Sequence, residues 1–462
     1  MSSIVIYNIG LLAGIEPEGV LFKRGAAMAS AGILRDAWLR ISDDGRIADF
    51  GPMSTCVVPS DSGRGRLADV ATPGHGEGEG PDGYKPSQRA KETLGGAGVS
   101  AANGVQPTSL CRMSGSAIDA QGGMVMPAFC DSHTHLVYAG SREGEFLDKL
   151  AGLSYEEIAA RGGGILNSSD LLHETSEDDL FEQSMQRVRE VLSKGTGSLE
   201  IKSGYGLRQA DEMKMLRGIR RIAEAAPAAV RATFLGAHAV GRGYTHEGYV
   251  SEVLKMIPEA ADLADFIDVF CDEGFFTPED TDRILAEGTR YGLRAKIHAN
   301  ELAVSGGVQV GVRHGALSVD HLERTGEAEI ECLRGTSTMP TMLPGASFFL
   351  REPYGNAKGF IENGLGVALA SDYNPGSSPS GDMRFVMALG CIQMRLTPEQ
   401  AFNAVTLNSA YAMGVSDVAG SIARGKLANL IIAKPGFDTL GSIAYLHQTP
   451  FISKVLLRGE LI

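Results

Sequence analysis

Cysteine is sparse and unpaired in this chain of 462 residues, and that narrows its chemistry at once. The six cysteines (Cys56, Cys111, Cys130, Cys271, Cys332 and Cys391) form no C-x-x-C pair. That pattern suits a reducing compartment and excludes both a disulfide framework and a cysteine-held structural zinc site. The N-terminus, Met1-Ser2-Ser3-Ile4-Val5-Ile6-Tyr7-Asn8, has no basic stretch followed by an apolar one, and no apolar run reaches membrane-spanning length. A cytoplasmic location is the expectation. Positive charge is short as well: 42 Lys and Arg against 56 Asp and Glu leave a net charge of −14. That sign argues against nonspecific nucleic-acid binding, and neither a nucleic-acid nor a membrane partner is expected. An anionic substrate would then need a locally placed cation, which makes individual arginines worth following.

What is present is an ordinary soluble balance, 43% hydrophobic and 21% charged, in a length that suits one large domain with an appendage. Residues 1–57 read as short strands and turns, with Asp44-Gly45 a hairpin signal. Residues 58–113 lose hydrophobic periodicity in runs such as Gly74-His75-Gly76-Glu77-Gly78, and read as a Gly-rich, disordered insertion. Strand texture resumes over 114–123. From there to about 415, strand-like and helix-like segments alternate. The eight strands expected are Met124–His135, Gly197–Ser203, Arg231–His238, Phe266–Cys271, Arg294–Ala299, Leu317–His321, Thr336–Leu343 and Gly366–Asp372. Between them, Ser176 starts a helix with Phe181, Met185, Val188 and Leu192 on one face, while Thr277-Pro278 and Thr397-Pro398 each start another. The alternation predicts a (β/α)₈ barrel, with residues 416–462 joining the N-terminal strands in a small β-sandwich.

Chemistry collects where these strands end, which in such barrels is the catalytic face. His133 and His135 stand two apart on a strand, so their imidazoles share a face. His238, His298 and His321 end three further strands, and Asp372 ends the last. Three neutral imidazoles and a carboxylate suit Zn²⁺ or Fe²⁺, which points to His133, His135, His298 and Asp372 as ligands. Bound metal makes a nucleophile of water near neutral pH, and Glu301 or His321 is placed to orient that water or carry its proton. No lysine stands at a strand end as a bridging ligand, since Lys202 falls within the second strand. One metal is therefore expected rather than two.

Longer stretches carry a more specific signal. The chain resembles the metal-dependent amidohydrolase superfamily and, within it, the imidazolonepropionase family. The resemblance rests on Asp131-Ser132-His133-Thr134-His135-Leu136-Val137-Tyr138-Ala139-Gly140-Ser141-Arg142 and Arg161-Gly162-Gly163-Gly164-Ile165-Leu166, then Glu200-Ile201-Lys202-Ser203-Gly204-Tyr205-Gly206-Leu207. Leu343-Pro344-Gly345-Ala346-Ser347-Phe348-Phe349 and Ser371-Asp372-Tyr373-Asn374-Pro375-Gly376-Ser377 complete it. It covers about Met124 to the C-terminus, and more loosely the first 57 residues. It implies hydrolysis of the cyclic amide of 4-imidazolone-5-propanoate to N-formimidoyl-L-glutamate in histidine degradation, with one divalent or trivalent zinc or iron ion, in a homodimer. It places the metal on the four residues already chosen. Substrate contacts fall on Arg142, Tyr205, His238, Glu301, Asn374, Gly376 and Ser377, with His321 near the metal-activated water. In that picture Arg142 grips the propionate, Tyr205 and His238 hold the ring, and His238 donates to the oxyanion. Asp372, Glu301 or His321 manages protons.

Three departures accompany the resemblance. The 58–113 insertion is longer than the usual connection, Asn300 stands where aspartate is common, and Gly241 stands where proline is common and is expected to loosen its loop. Two rivals remain. A heterocyclic-base deaminase would share the metal site but would not need Arg142 for a carboxylate. A barrel turned interaction protein would have lost metal ligands, and none is lost here.

Overall fold

The computed structural model describes residues 3–58, 66–67, 115–153, 157 and 163–462. Apart from Val58, Arg66 and Leu67, the insertion read at 58–113 lies outside the described residues, as does the Arg161-Gly162 step. Eight parallel strands form the catalytic unit. In order they are Phe129–Thr134, Thr196–Lys202, Ala229–Ala237, Phe266–Cys271, Ile297–Ala299, Ser318–His321, Met339–Met342 and Ala368–Leu369. Sequential neighbours pair throughout. The first and eighth strands meet where Tyr373 bridges Thr134, closing the barrel nearly completely. The first, second and fourth strands are buried at every residue, as a parallel sheet covered on both faces requires.

Helices cover the outside, and their starts follow the local chemistry. Ser176 caps Glu177–Ser193 by accepting from Asp179 N, and Thr277 and Thr397 form capping boxes at Pro278–Arg290 and Pro398–Val405. In the first of these Met185, Val188 and Leu192 face the core, but Leu180 is buried where Phe181 was expected. Phe181 instead lies half-buried beneath the Arg221 guanidinium, 4.2 Å from its ring centroid.

Three strand expectations change. The eighth strand, expected over Gly366–Asp372, is only Ala368–Leu369 and leaves Asp372 beyond its end. Met124–His135 is not one strand: Met124–Pro127 pairs with Leu11 and Leu12 and with Leu430–Ile432, and only Phe129–Thr134 enters the barrel. The chain switches sheets at Ala128, just past a proline that has no amide hydrogen to offer a ladder. The fifth strand is likewise interrupted at Lys296, with Arg294–Ala295 and Ile297–Ala299 on either side.

The terminal strands build a second, mixed sheet. Ser3–Ile15 pairs antiparallel with Gly32–Ile41 and parallel with Gly115–Asp119, while Leu430–Ala433, Ile452–Leu457 and Glu460–Leu461 extend the other side. Ile6, Ile9, Leu39, Ile47, Ile422 and Leu456 give it a core of its own. Arg46, just before Ile47–Pro52, forms an isolated antiparallel bridge to Leu427, just before Leu430–Ala433. Among the described residues, no helix is long and apolar enough to cross a membrane.

Candidate active site

The strand-end histidines converge. His133 and His135 have ring centroids 5.3 Å apart, and the His298 ring lies 4.4 Å from that of His133. Asp372 is brought in by backbone stitching: its amide donates to His133 O at 3.0 Å, and His135 N donates to Tyr373 O at 2.9 Å. Asp372 Oδ1 then lies 3.6 Å from His133 Nε2 and 3.5 Å from His135 Nε2. Asp372 holds a left-handed backbone, φ 54°, a conformation that non-glycine residues adopt mainly where surrounding structure enforces it. Two overlapping triads have donor atoms within 4.8 Å of one another: His133, His135 and Asp372, and His133, His298 and His321. The four expected ligands are thus together, and His321 is close enough to join them geometrically.

The donor set fits a metal ion. Burial lowers the pKa of His133, His135 and His298, which keeps each imidazole neutral with a lone pair to offer. His133 Nε2 and His298 Nε2 are buried without a hydrogen-bond partner, an arrangement that costs free energy unless something else is bound there.

Carboxylates lie behind two of the rings. His133 Nδ1 lies 2.7 Å from Asp320 Oδ2, and His298 Nδ1 lies 3.0 Å from Asp268 Oδ2. The His133 contact is a hydrogen bond that leaves its Nε2 facing inward, whereas His298 Nδ1 meets Asp268 as a charge contact without hydrogen-bond geometry. Burial alone would raise the Asp268 pKa, but His298 and Lys202 more than offset it and hold the group far below the usual carboxylate range. Lys202, expected within the second strand, instead ends it, because the strand stops before Ser203, and it is wholly buried. Its ammonium is committed to Glu200 and Asp268, each at 2.8 Å.

An imidazole set between two carboxylates flanks the cluster. His321 Nε2 lies 3.5 Å from Glu301 Oε2, and its Nδ1 lies 3.5 Å from Glu323 Oε2. Burial opposes charge on His321, but the two flanking carboxylates prevail and hold its pKa up at about 10. Burial pushes Glu301 up to about 7 against the pull of His321.

On the substrate side, the Arg142 guanidinium is fixed by Glu145, whose Oε2 accepts from Nε at 2.9 Å and Nη2 at 2.6 Å. Arg142 Nη1 packs so near Gly376 that a Cβ there would lie 2.3 Å away. A cavity of about 290 Å³ opens beside them, lined by Tyr138, Arg142, Phe146, Lys149, Phe349 and Gly376. Tyr205 is buried with its ring 5.9 Å from His135 and 5.5 Å from His238. His238 stacks on His135 at 5.2 Å, with Nδ1 3.0 Å from Gly204 O. Nδ1 must donate to that carbonyl. Burial pushes the His238 pKa down to about 3, so its Nε2 is an acceptor. The oxyanion-donor role expected of His238 does not suit this tautomer.

Asn374 and Ser377 also change meaning. Asn374 Nδ2 donates to Asp372 O and Ser377 Oγ, both at 2.7 Å, while its Oδ1 accepts from Gly376 N at 2.7 Å and Ser377 N at 2.8 Å. Two donors and two lone pairs are all an amide has. The Asn374 side chain therefore shapes its own loop. Ser377 Oγ lies 3.3 Å from Asp372 Oδ2, leaving Oδ1 toward the histidines.

Of the departures, Asn300 sits at φ 60° with Nδ2 donating to Arg324 O at 2.9 Å, a local turn role and not a charge behind the metal. Gly241 does not loosen its loop: a Cβ there would meet Leu207 O at 2.6 Å, so the glycine permits close packing.

Several working residues escaped the sequence reading. Glu212 accepts from the amides of Gly204, Gly206 and Leu207 at 3.0, 2.8 and 3.0 Å, tying down the turn that carries Tyr205. Asp272 accepts from Glu301 N at 2.8 Å and Leu302 N at 3.0 Å. Asp131 receives Ser371 N at 3.0 Å and Ser371 Oγ at 2.5 Å, just before Asp372. Asp272 was findable, because it follows the fourth strand as His238 follows the third. Glu212 carried no such mark, being one of two acids in an ordinary first helical turn.

Comparison with known proteins agrees with this architecture. Residues 124–462 match the model of the amidohydrolase family. The imidazolonepropionase of Flavobacterium johnsoniae is 53% identical over 352 residues, covering 75% of this chain and 85% of that one. That of Christiangramia forsetii is 42% identical over 467 residues, covering all of both chains. Among solved structures, E. coli guanine deaminase superposes with a TM-score of 0.67 at 13% identity, covering 100% of this chain and 99% of that one. A triazine hydrolase variant gives 0.67 at 14%, covering 99% and 94%. At such identities these two speak for the fold alone. The chain is a member of the amidohydrolase family, a hydrolase of carbon–nitrogen bonds, and within that family it belongs with the imidazolonepropionases.

Proposed function

We propose that this chain hydrolyses the ring amide of 4-imidazolone-5-propanoate to N-formimidoyl-L-glutamate, using one zinc or iron ion held by His133, His135, His298 and Asp372. The observation that carries the reading is Arg142, a guanidinium fixed by Glu145 and packed against Gly376 in the loop after Asp372. A deaminase of a neutral base has no carboxylate for it to bind. A metal in this donor set supplies Lewis acidity and makes a nucleophile of water at neutral pH.

The remaining work falls to side chains. Arg142 holds the propionate through the donors that Glu145 leaves free, and so orients the ring. His238 Nε2 accepts from a ring N–H, and Tyr205 packs against the ring beside it. Glu301 takes the proton from the attacking water. His321, kept charged between Glu301 and Glu323, is the acid that protonates the departing ring nitrogen.

The test is loss of the substrate's ultraviolet absorbance with freshly made 4-imidazolone-5-propanoate, before and after chelation and with zinc or iron restored. Turnover restored by metal is the expected result. A folded, metal-loaded sample with no turnover overturns the substrate assignment. Arg142→Ala discriminates the deaminase reading: losing a hydrogen bond to a charged group costs about 1.5–3 kcal/mol, about 10–100-fold in kcat/KM. A ratio unchanged by this substitution points to a substrate without a carboxylate.

A further inference from the structure

The mechanism above leaves one buried group unused, the charged floor beneath the histidines. Lys202, Lys296, Glu200, Asp268 and Asp320 are all fully or almost fully buried, on the second, fourth and sixth strands and at the break in the fifth. Two ammoniums face three carboxylates there. Such a group is costly to bury and contributes little net stability, so its presence calls for a use.

The connections run through shared oxygens. Lys202 Nζ lies 2.8 Å from Asp268 Oδ2, the same oxygen that meets His298 Nδ1 at 3.0 Å. It lies 3.8 Å from Asp320 Oδ2, the oxygen that meets His133 Nδ1 at 2.7 Å. Asp268 Oδ1 also accepts from the His298 amide at 3.1 Å, holding that residue at its backbone, while the ring lies beside Oδ2 as a charge contact without a hydrogen bond. From the other side, Lys296 Nζ lies 3.6 Å from Asp320 Oδ2 and donates to Ser132 O at 2.8 Å, the residue before His133. Glu200 Oε1 accepts from Lys202 at 2.8 Å and touches neither histidine.

We propose that Lys202 is a positioning residue for the metal site: it ties the carboxylates behind His133 and His298 into one rigid unit, so that both Nε2 atoms are aimed before metal arrives. The proposal rests on the ligand assignment made above. Lys202 touches neither substrate nor metal, and acts only through Asp268 and Asp320. Outer partners of metal-bound histidines typically set metal affinity by about 10–100-fold. Removing the ammonium should free Asp268 and leave Asp320 held by Lys296 alone, which uncouples the two carboxylates and widens the range of ring orientations.

The experiment uses the full chain, stripped by chelation, with Zn²⁺ affinity measured by competition against a chromophoric chelator and the visible spectrum recorded with Co²⁺. Lys202→Met is the direct variant, but it leaves acids unbalanced and invites misfolding. Lys202→Met combined with Glu200→Gln removes one charge of each sign and decides the matter if the single variant does not fold. The expected result is a native-like fold, Zn²⁺ affinity down about 10–100-fold and a changed Co²⁺ spectrum. Parental affinity and an unchanged spectrum, even with a lowered melting temperature, reduce Lys202 to a structural filler and overturn the proposal. His298→Ala is run in parallel. If that variant keeps parental affinity, the ligand assignment itself fails. If it loses metal while the double variant does not, only the role of Lys202 falls.

Discussion

Glu301 is poised between holding and releasing a proton near neutral pH, because burial raises its pKa to about 7 while His321 beside it pulls the other way. A carboxylate must be ionised to accept a proton, so kcat/KM should climb as pH rises through about 7. It should fall again as pH rises through about 10, where His321 gives up the charge that Glu301 and Glu323 sustain. Glu301→Gln should cut kcat by about 10²–10⁴, the usual worth of a positioned acid or base, and erase the lower limb. A lower limb that survives this substitution belongs to another group, first of all Asp372, whose pKa burial also raises to about 7. Gly376 offers a gentler probe. A methyl group added there would lie 2.3 Å from Arg142 Nη1, so the guanidinium must shift. Weakening one charge-assisted bond by about 1.5 kcal/mol corresponds to about tenfold in KM, with kcat largely kept. Equal loss in both constants would place Gly376 in the chemistry instead of in binding.

Between residues and barrel lie the turns that follow each strand, and here buried acids grip backbone more than ligand. Glu212, in the first turn of helix Gln209–Ala225, gathers three amides of the Ser203–Leu207 turn. Glu212→Gln would set an amide NH₂ against one of those N–H donors. The turn should open, raising KM through Tyr205 and His238 while Zn²⁺ content stays at one per chain; loss of metal would show that the turn also supports the ligands. How far such turns can be read from sequence differs by residue. His133 and His135 were legible because a strand repeats every two residues, and Asp372 because it closes the last strand-like run. The Thr277 and Thr397 helix starts were legible because a cap and its proline are adjacent in sequence. Lys202 and Asp268 stand 66 positions apart and meet only because their strands point into one barrel. Asn374 shows another limit: its residue type suits substrate binding, and only the hydrogen-bond pattern reveals that its valences are spent on its own loop.

At the scale of the whole molecule, two cores meet at Ala128, where the chain leaves the terminal sheet and enters the first barrel strand. The β/α alternation made the barrel legible, but not the switch, because Met124–Cys130 is one apolar run and nothing in its period marks a change of sheet. The switch matters for the site, since His133 and His135 follow within a few residues and inherit the position of Phe129, whose amide donates to Gly195 O at 2.9 Å. It also makes metal binding a property of the folded chain. The proposed ligands lie at or just beyond the ends of the first, fifth and eighth strands, separated by 165 residues from His133 to His298 and 74 from His298 to Asp372, so an unfolded chain offers no comparable site. Linkage then requires the metal to stabilise the fold, by about 4 kcal/mol at a free concentration a thousand times Kd. Calorimetric unfolding of the stripped chain should therefore shift upward with added Zn²⁺, in proportion to the logarithm of its concentration. His298→Ala and Asp372→Asn should flatten that response. A melting temperature indifferent to Zn²⁺ in the parent chain would mean that the buried imidazoles gain nothing from the ion, and the four-ligand assignment would have to be given up.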